Sequence, residues 1–383
     1  MESHSLESQS LFIGLMSGTS LDGVDGVLAA FDADKARISM PASSYIAFPA
    51  SLRADLTALQ TAGDNEIHRE AQAANQLTAL YAECVRQLLQ QAQLPAGAIR
   101  AIGCHGQTIR HCPHAGYSRQ TNNPALLAEM TGIDVIADFR SRDVAAGGQG
   151  APLVPAFHQA LFAKDHAVRV VANIGGMTNI SVLNDGGGNS GNSAIGFDTG
   201  PGNVLMDAWA AQHLGQAFDA GGTWAASGTL LPELLNLLLD EPFFALEPPK
   251  STGRDLFNAG WLAGRLSAFG HASPADVQAT LTALTAQTLA DAIATHARGA
   301  EAIYVCGGGA CNMELLRQLK LALSRHRIAA SLATTEALGV SPNHVEALAF
   351  AWLAQRFGAR LPGNLPAVTG ARGLRVLGAL YPA

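Results

Sequence analysis

Three short turns in this sequence combine glycine with hydroxyl or carboxylate side chains, a combination suited to binding phosphate groups. The first turn lies between two apolar runs near the start of the chain. Gly18 has no Cβ, so its backbone can approach a phosphate, and Thr19 and Ser20 add hydroxyl donors. Asp22 and Asp25 could hold a magnesium ion through water, because this ion keeps waters and takes few carboxylates.

The second and third turns repeat this combination later in the chain. Gly175 and Gly176 stand between two predicted strands and are followed by Thr178. The third turn follows a predicted strand and contains Gly307, Gly308 and Gly309. A helix is predicted to begin near Asn312, so an adenine or ribose could lie there against bare backbone. Each turn alone also fits a purely conformational role for glycine, and the nucleotide-binding hypothesis depends on all three together.

Alternating apolar runs and helix-forming segments indicate the α/β architecture that would position these turns. Short buried strands are predicted at 11–16, 24–31, 101–104, 135–137, 168–172, 179–183 and 302–306. Helices are predicted at 67–92, 152–163, 230–239, 276–297, 313–326 and 344–357. Each half of the chain therefore begins with a hairpin that contains a glycine turn.

Length, charge and cysteine usage restrict the class of protein. A chain of 383 residues predicts two domains. The net charge is -7 and no basic run occurs, which argues against a nucleic-acid partner. Five cysteines without a C-x-x-C pair argue against a disulfide framework. No signal peptide and no apolar run of about 18 residues is seen, so we expect a cytoplasmic protein without a membrane partner.

Two further patterns are not predicted to be sites. The low-complexity segment 184–193 contains a G-x-G-x-x-G match at Gly186–Gly191, but no helix follows it, so a dinucleotide site is not expected there. Five residues have the types of zinc ligands but a spacing that fits no closed zinc pattern: Cys104, His105, His111, Cys112 and His114.

Five segments closely resemble the signature motifs of the anhydro-N-acetylmuramic acid kinase family, within the sugar kinase, heat-shock chaperone and actin superfamily. They are Gly14–Asp25, Gly103–Thr108, Asp138–Asp143, Gly196–Asn203 and Ser341–Ala347. The resemblance runs from about Leu11 to Tyr381, and the first and fourth segments are the most specific. The polar leader and the low-complexity insertion are the only departures, and neither contains a motif.

The resemblance implies a two-lobed, actin-like α/β fold of the ribonuclease H-like type with a central cleft between the lobes. The first lobe is expected at 1–145, joined by 365–383, and the second at 146–364. ATP and magnesium are the implied ligands, with nucleotide contacts along the whole first turn: Gly18, Thr19, Ser20, Leu21, Asp22, Gly23, Val24 and Asp25. The implied reaction opens a 1,6-anhydro sugar from peptidoglycan with water and phosphorylates its O6. The products are N-acetylmuramic acid 6-phosphate and ADP.

Asp198 is the candidate catalytic residue. It stands in Phe197–Gly202, where glycine and proline predict a tight turn that presents the side chain. From spacing alone, a cap for the helix that follows Asn203 explains this aspartate equally well. The family resemblance favours a base that activates water for attack at C1 of the sugar.

The sugar-binding residues are expected after two strands of the first lobe. His105, Gln107 and Thr108 follow the strand that ends at Cys104. Asp138 and Arg140 follow another strand and could bind sugar hydroxyls and the lactyl carboxylate. A structural ion pair between the last two is an equally good explanation. Glu346 could position water or sugar, or it is a first-turn acid favoured by the helix dipole.

Two alternative functions remain at this stage: a kinase of another sugar in the same superfamily, and an ATP-switched chaperone or filament protein. No G-x-x-x-x-G-K-[ST] motif occurs, which disfavours a P-loop enzyme. The sequence leaves open whether the chain forms a homodimer.

Overall fold

The computed structural model describes residues 10–31, 38–184 and 194–383. The polar leader and nearly all of the low-complexity insertion therefore lie outside the described residues. Contacts divide the chain into two compact units. Unit 1 comprises the described residues up to Phe157 together with His344–Ala383, and unit 2 comprises those of His158–Asn343.

Strands and helices alternate along the described residues. The strands are β1 (Ser10–Met16), β2 (Gly23–Phe31), β3 (Ile38–Ala47), β4 (Ile99–Cys104), β5 (Gln107–Cys112), β6 (Tyr117–Thr121), β7 (Val135–Ala137), β8 (Arg169–Ile174), β9 (Met177–Leu183), β10 (Ile195–Pro201), β11 (Ala302–Cys306), β12 (Ser331–Thr334) and β13 (Ala379–Tyr381). The helices are α1 (Ala50–Ala58), α2 (Glu66–Ala92), α3 (Pro124–Thr131), α4 (Ser141–Ala145), α5 (Val154–Phe162), α6 (Val204–Leu214), α7 (Thr223–Ser227), α8 (Pro232–Leu239), α9 (Ala259–Leu266), α10 (Pro274–His296), α11 (Met313–Arg325), α12 (Val345–Gly358) and α13 (Pro366–Thr369). All of the predicted strands and helices are confirmed, with shifts of a few residues at their ends.

The central sheets of the two units share a five-stranded topology, to which unit 1 adds β13 at one edge. Unit 1 has the strand order β13-β7-β4-β1-β2-β3, and unit 2 has the order β10-β9-β8-β11-β12. In each sheet the first three strands in the chain are antiparallel, and the fourth and fifth run parallel to the first. This arrangement is the ribonuclease H-like topology, and its repetition within one chain is the fold of the actin-like ATPases. The predicted fold class is confirmed.

Helices cover both faces of the sheet in unit 1. On one face α2 packs against β2, where Gly26 lies under the side chain of Cys84. On the other face the α12 backbone lies directly on β1 and β4, because an added Cβ at Gly14 or Gly103 would overlap the carbonyl of Ala347 or Phe350. Glycine at these two positions therefore sets the distance between α12 and the sheet.

The longest helix, α2, is amphipathic. Leu77, Tyr81 and Leu88 are fully buried and recur at helical spacing, while most of the exposed positions carry polar side chains such as Gln72, Gln76 and Arg86. Across the three described ranges, no helix is both long enough and apolar enough to cross a membrane.

The predicted lobes were divided between residues 145 and 146 and between residues 364 and 365. The two observed units are divided between Phe157 and His158, inside α5, and between Asn343 and His344. Two sets of contacts explain the difference. Helix α12 packs on the unit 1 sheet, and the loop after α4 is tied to unit 1 by the Gln149 N–H, which donates to the Thr369 carbonyl at 2.8 Å.

The contact between Gly14 and α12 predicts a stability effect. Replacing Gly14 by alanine forces a methyl group onto the Ala347 carbonyl, and overpacking of this kind typically costs about 1–3 kcal/mol. We expect Gly14→Ala to lower the free energy of unfolding by at least this amount in urea denaturation. Gly97→Ala is the matched control, because an added Cβ there has no neighbour within 4 Å. Equal effects of the two substitutions would contradict the proposed role of this contact.

Candidate active site

Buried polar groups hold the inner side of the β1–β2 turn. The Ser17 hydroxyl donates to the Gly106 carbonyl at 3.0 Å, so the Tyr81 hydroxyl, 2.7 Å away, must donate to Ser17. The Gln107 side-chain amide donates to the Gly18 carbonyl at 3.0 Å. The turn is therefore fixed from inside unit 1 by residues on α2 and on the start of β5.

The outer side of the same turn presents hydroxyl groups, while other predicted nucleotide-binding positions face the core. Thr19 and Ser20 are exposed. Leu21 and Val24 are buried in the core of unit 1, and an added Cβ at Gly23 would press against the Ile46 carbonyl of β3. Leu21 and Val24 therefore serve the packing of the turn, and at all three positions only the backbone could meet a ligand.

Carboxylates cluster beside the turn. Asp22 is exposed and accepts from the Ser20 hydroxyl at 2.7 Å. The pKa of Asp25 is raised to about 7, first by burial and then by the negative charges of Asp22 and Glu346. Within the described residues, no group of three or more His, Cys, Asp or Glu side chains is arranged to hold a metal ion directly. The hypothesis is therefore still that Asp22 and Asp25 would hold a magnesium ion through water molecules.

His105 is buried behind the turn and links it to Arg140. Its Nδ1 lies 3.0 Å from the Ser17 carbonyl, and Arg140 Nη2 donates to its Nε2 at 2.9 Å. Burial, followed by the Arg140 charge, lowers the pKa of His105 to about 3. The ring is therefore neutral and protonated at Nδ1. The amide of Gln120 contacts the same Nε2 and donates to the Thr108 hydroxyl at 3.2 Å.

Arg140 and Asp138 do not serve as each other's partners. Arg140 Nη1 donates to the Gly150 carbonyl at 2.7 Å, and burial lowers the pKa of Arg140 to about 10 although Glu346 favours its charge. Asp138 is exposed, has a left-handed backbone with φ 57°, and accepts from the Ser141 N–H at 3.3 Å. These contacts leave the ion-pair explanation for the two residues without support.

Asp143 is a supporting residue that the sequence analysis did not single out, although it ends one of the quoted motifs. Its carboxylate is fully buried and accepts three hydrogen bonds: from the Gly150 N–H at 2.8 Å, from Asn364 Nδ2 at 2.7 Å and from the Thr369 hydroxyl at 2.8 Å. Because Gly150 in turn accepts from Arg140, Asp143 helps to fix the guanidinium.

The β8–β9 turn of unit 2 is held by the segment that follows β10. The Gly175 carbonyl accepts from the Asn203 N–H at 2.8 Å, and the Gly176 carbonyl accepts from the Gly202 N–H at 2.9 Å. The Thr178 hydroxyl is fully buried and has no hydrogen-bond partner among the described residues. The carbonyls at this turn are therefore committed to the protein.

The third glycine turn, between β11 and α11, packs closely on the second. Gly307 has φ 78°, and an added Cβ there would lie 2.7 Å from the Ile174 carbonyl. Gly309 is buried against the same isoleucine, whereas Gly308 is exposed. Asn312 caps α11 by accepting from the N–H three residues later at 3.0 Å, so its side chain already has a structural role.

Asp198 lies within strand β10, so the predicted tight turn is wrong. Glycine and proline are accommodated there by an irregularity in the pairing with β9 between Asp198 and Gly200. The helix-cap explanation also fails, because α6 begins at Val204. Asp198 Oδ2 accepts from the Thr252 N–H at 2.9 Å. Burial raises the pKa of Asp198 to about 7, although the Thr252 bond acts in the opposite direction.

Each of the three turns has one glycine at which an added Cβ would make only ordinary van der Waals contact with the protein. The nearest protein atom to an added Cβ is 3.5 Å away at Gly18 and 3.6 Å away at both Gly175 and Gly308. Bare backbone of this kind can approach phosphate or sugar groups closely. Glycine hairpins opening two ribonuclease H-like units, with a third turn before a late helix, define the actin-like class of ATPases and sugar kinases.

Comparison with known proteins identifies the family within this class. The sequence profile described as anhydro-N-acetylmuramic acid kinase matches residues 10–383, and the chain belongs to this family. The resemblance found from the motifs is thereby confirmed, and the chain is a member of a family of phosphotransferases.

Curated relatives are similar along almost their whole length. The chain is 59% identical over 372 residues to the anhydro-N-acetylmuramic acid kinase of Burkholderia orbicola strain MC0-3, covering 97% of this chain and 96% of the relative. It is 59% identical over 373 residues to that of Paraburkholderia xenovorans strain LB400, covering 97% and 98%. The solved structure of the activator of the 2-hydroxyisocaproyl-CoA dehydratase from Clostridium difficile matches with a TM-score of 0.47 at 11% sequence identity, covering 91% of this chain and 96% of that chain. That likeness is too distant to bear on function.

The carboxylate cluster predicts a pH-dependent stability effect. The pKa of Asp25 is raised in the folded protein, so the folded state holds this proton more tightly than the unfolded state does. Its cost to stability is absent near pH 4, grows as the pH rises towards 7 and is complete above that pH. We expect Asp25→Asn to stabilise the protein by about 1 kcal/mol or more at pH 8 and by little at pH 4.

Urea denaturation of the wild type and Asp25→Asn at both pH values measures this difference. Asp55→Asn, at an exposed position of α1, is the control for the loss of a surface carboxylate. An equal effect of Asp25→Asn at the two pH values would contradict the raised pKa.

Proposed function

We propose that this chain is an ATP-dependent kinase that opens 1,6-anhydro-N-acetylmuramic acid with water and phosphorylates O6 of the same sugar. The products would be N-acetylmuramic acid 6-phosphate and ADP, in the recycling of cell-wall peptidoglycan. Family membership supports the reaction. The observation that carries the mechanism is Asp198, a single carboxylate whose pKa of about 7 suits a general base near neutral pH.

On the nucleotide side, the proposal assigns the phosphates to the half-buried backbone at Gly18 and Gly175, with the hydroxyls of Thr19 and Ser20 as further donors. Gly308 would offer bare backbone to the adenosine. These assignments are supported by the absence of any protein atom closer than 3.5 Å to an added Cβ at each of these three glycines.

Asp22 and Asp25 fit a divalent cation held through water. Burial and the negative charges of Asp22 and Glu346 raise the pKa of Asp25, and a nearby positive charge would relieve the repulsion among the carboxylates. When bound, magnesium would neutralise charge on the ATP phosphates. These two side chains would hold and orient its waters.

On the sugar side, Asp138, Arg140 and Glu346 would contact the substrate. Arg140 offers a guanidinium for the lactyl carboxylate, and its charge is kept in place by hydrogen bonds at Nη1 and Nη2. His105 and Gln107 are buried and bind backbone carbonyls of the turn, so the proposal gives them a supporting role.

The proposed chemistry begins when the Asp198 carboxylate accepts a proton from water. The water oxygen bonds to C1 as the bond between C1 and O6 breaks, and O6 then bonds to the γ-phosphorus of ATP as ADP leaves. One proton is released overall. Partial burial of Asp198 favours this role, because a carboxylate with less water around it is a stronger base.

An isotope experiment tests the reaction. The protein is incubated with ATP, magnesium and the anhydro sugar in oxygen-18 water, and the product is weighed by mass spectrometry. We expect the product to gain one phosphate and one heavy oxygen. Phosphate gain with the anhydro bridge intact would make the chain a plain kinase, and activity on other sugars alone would show a different substrate.

Removing the carboxylate tests the role of Asp198. We expect Asp198→Asn to lower kcat by about 1,000-fold or more, because general bases commonly contribute up to about 10,000-fold, and to leave ATP affinity nearly unchanged. Activity assays and calorimetric titration with ATP measure the two effects. Asp219→Asn is the matched control, since Asp219 is a buried aspartate of unit 2 that also accepts backbone N–H bonds. Substantial turnover by Asp198→Asn would remove it from the mechanism.

A further inference from the structure

Residues 242–252, called here the 242–252 segment, hold Asp198 at two points. The Asp198 N–H donates to the Lys250 carbonyl at 3.1 Å. The Thr252 N–H donates to the Asp198 carboxylate at Oδ2, 2.9 Å away. The segment therefore fixes both the backbone and the side chain of the proposed base, although the sequence analysis gave it no role.

The ammonium group of Lys250 anchors this segment. Its Nζ donates to the carbonyls of Phe243 and Phe244 at 3.2 and 3.1 Å. The same Nζ lies 4.9 Å from the centre of the Phe243 ring and 5.9 Å from that of Phe197, the residue before Asp198. Two directional hydrogen bonds to carbonyls and the attraction of the cation to two aromatic rings together fix the position of the ammonium group.

The aromatic end of the segment also fits closely on β10. An added Cβ at Gly200 would lie 2.6 Å from the Phe244 ring, and Gly200 has φ 147°. The ammonium thus connects the part of the segment that packs on Gly200 with the part that binds Asp198. Its removal would free the two parts to move relative to each other.

We propose that Lys250 is a positioning residue for the proposed base: its ammonium keeps the Thr252 N–H on Asp198 Oδ2 and so leaves Oδ1 to accept the proton from water. This inference rests on the function proposed above. Lys250 does not touch the reacting atoms. It acts through the main chain of the segment that carries it.

A shift in pH dependence separates this role from a merely structural one. An N–H bonded to a carboxylate favours its charged form, so losing the Thr252 bond raises the pKa of Asp198. The acid limb of the pH profile of kcat would move to higher pH. Other titratable groups in this part of unit 2 are Glu247 in the segment and His296 of α10, whose ring packs on Phe197.

The test substitution is Lys250→Met, which keeps an unbranched side chain, one atom shorter, and removes its charge. We expect kcat to fall about 10-fold or more, the sugar KM to change little, and the acid limb to rise by about one pH unit. His296→Gln should leave the acid limb in place. Arg265→Met is the matched control, because Arg265 also places a cation over a ring, 5.4 Å from the centre of Trp261, and donates to a carbonyl at 3.1 Å.

Arg265→Met should lower the melting temperature without moving the acid limb. Should Lys250→Met fail to fold, Lys250→Gln keeps a donor for the two carbonyls and should show a smaller shift in the same direction. An unshifted limb in a folded Lys250 variant overturns the positioning role. The role of Asp198 as the base is tested separately: substantial turnover by Asp198→Asn would contradict that role, whatever the result for Lys250.

Discussion

Direct contact between main-chain segments, with no side chain between them, is the constraint on which both units depend. In unit 1 the α12 backbone lies on the sheet at Gly14 and Gly103. In unit 2 the backbone at Gly202 and Gly307 covers the β8–β9 turn. In unit 2 these contacts occupy the carbonyls of the β8–β9 turn with hydrogen bonds and restrict the movement of its backbone. The backbone that stays uncovered, as at Gly308, is therefore presented on a rigid support.

Burial is the main cause of the raised pKa of two carboxylates, and the contributions besides burial separate their proposed roles. Asp25 is affected by burial and by the charges of Asp22 and Glu346. Asp198 is affected by burial, and a single N–H bond acts against it. A cation beside the first group would restore its negative charge, since repulsion is part of its cause. The second group has no such repulsion to relieve, so its natural partner is a proton from water.

Many of the buried strands could be predicted from the sequence because they are short, nearly continuous apolar runs, whereas the two-lobed, actin-like fold was implied by the resemblance of the motifs to a known family. The predicted turn at Asp198 was wrong for a physical reason: Gly200 and Pro201 are turn residues by type, but an irregularity in strand pairing accommodates them in β10. The division into units was displaced because nothing local in α12 reveals which sheet it covers. The contact depends on Gly14, which lets the α12 backbone lie on β1 and is far from α12 in the chain.

The roles of individual residues are harder to predict than the site itself, because a signature motif mixes several kinds of constraint. Within Gly14–Asp25, Gly14 admits a helix, Ser17 ties the turn to the interior, and Leu21 fills the core. Only Thr19, Ser20 and Asp22 are exposed. Many positions of such a motif are therefore set by the packing of the turn, and few of them by contact with a ligand. Lys250 shows the reverse case: it acts through one ammonium group and the main chain, so its type and neighbours leave no pattern in the sequence.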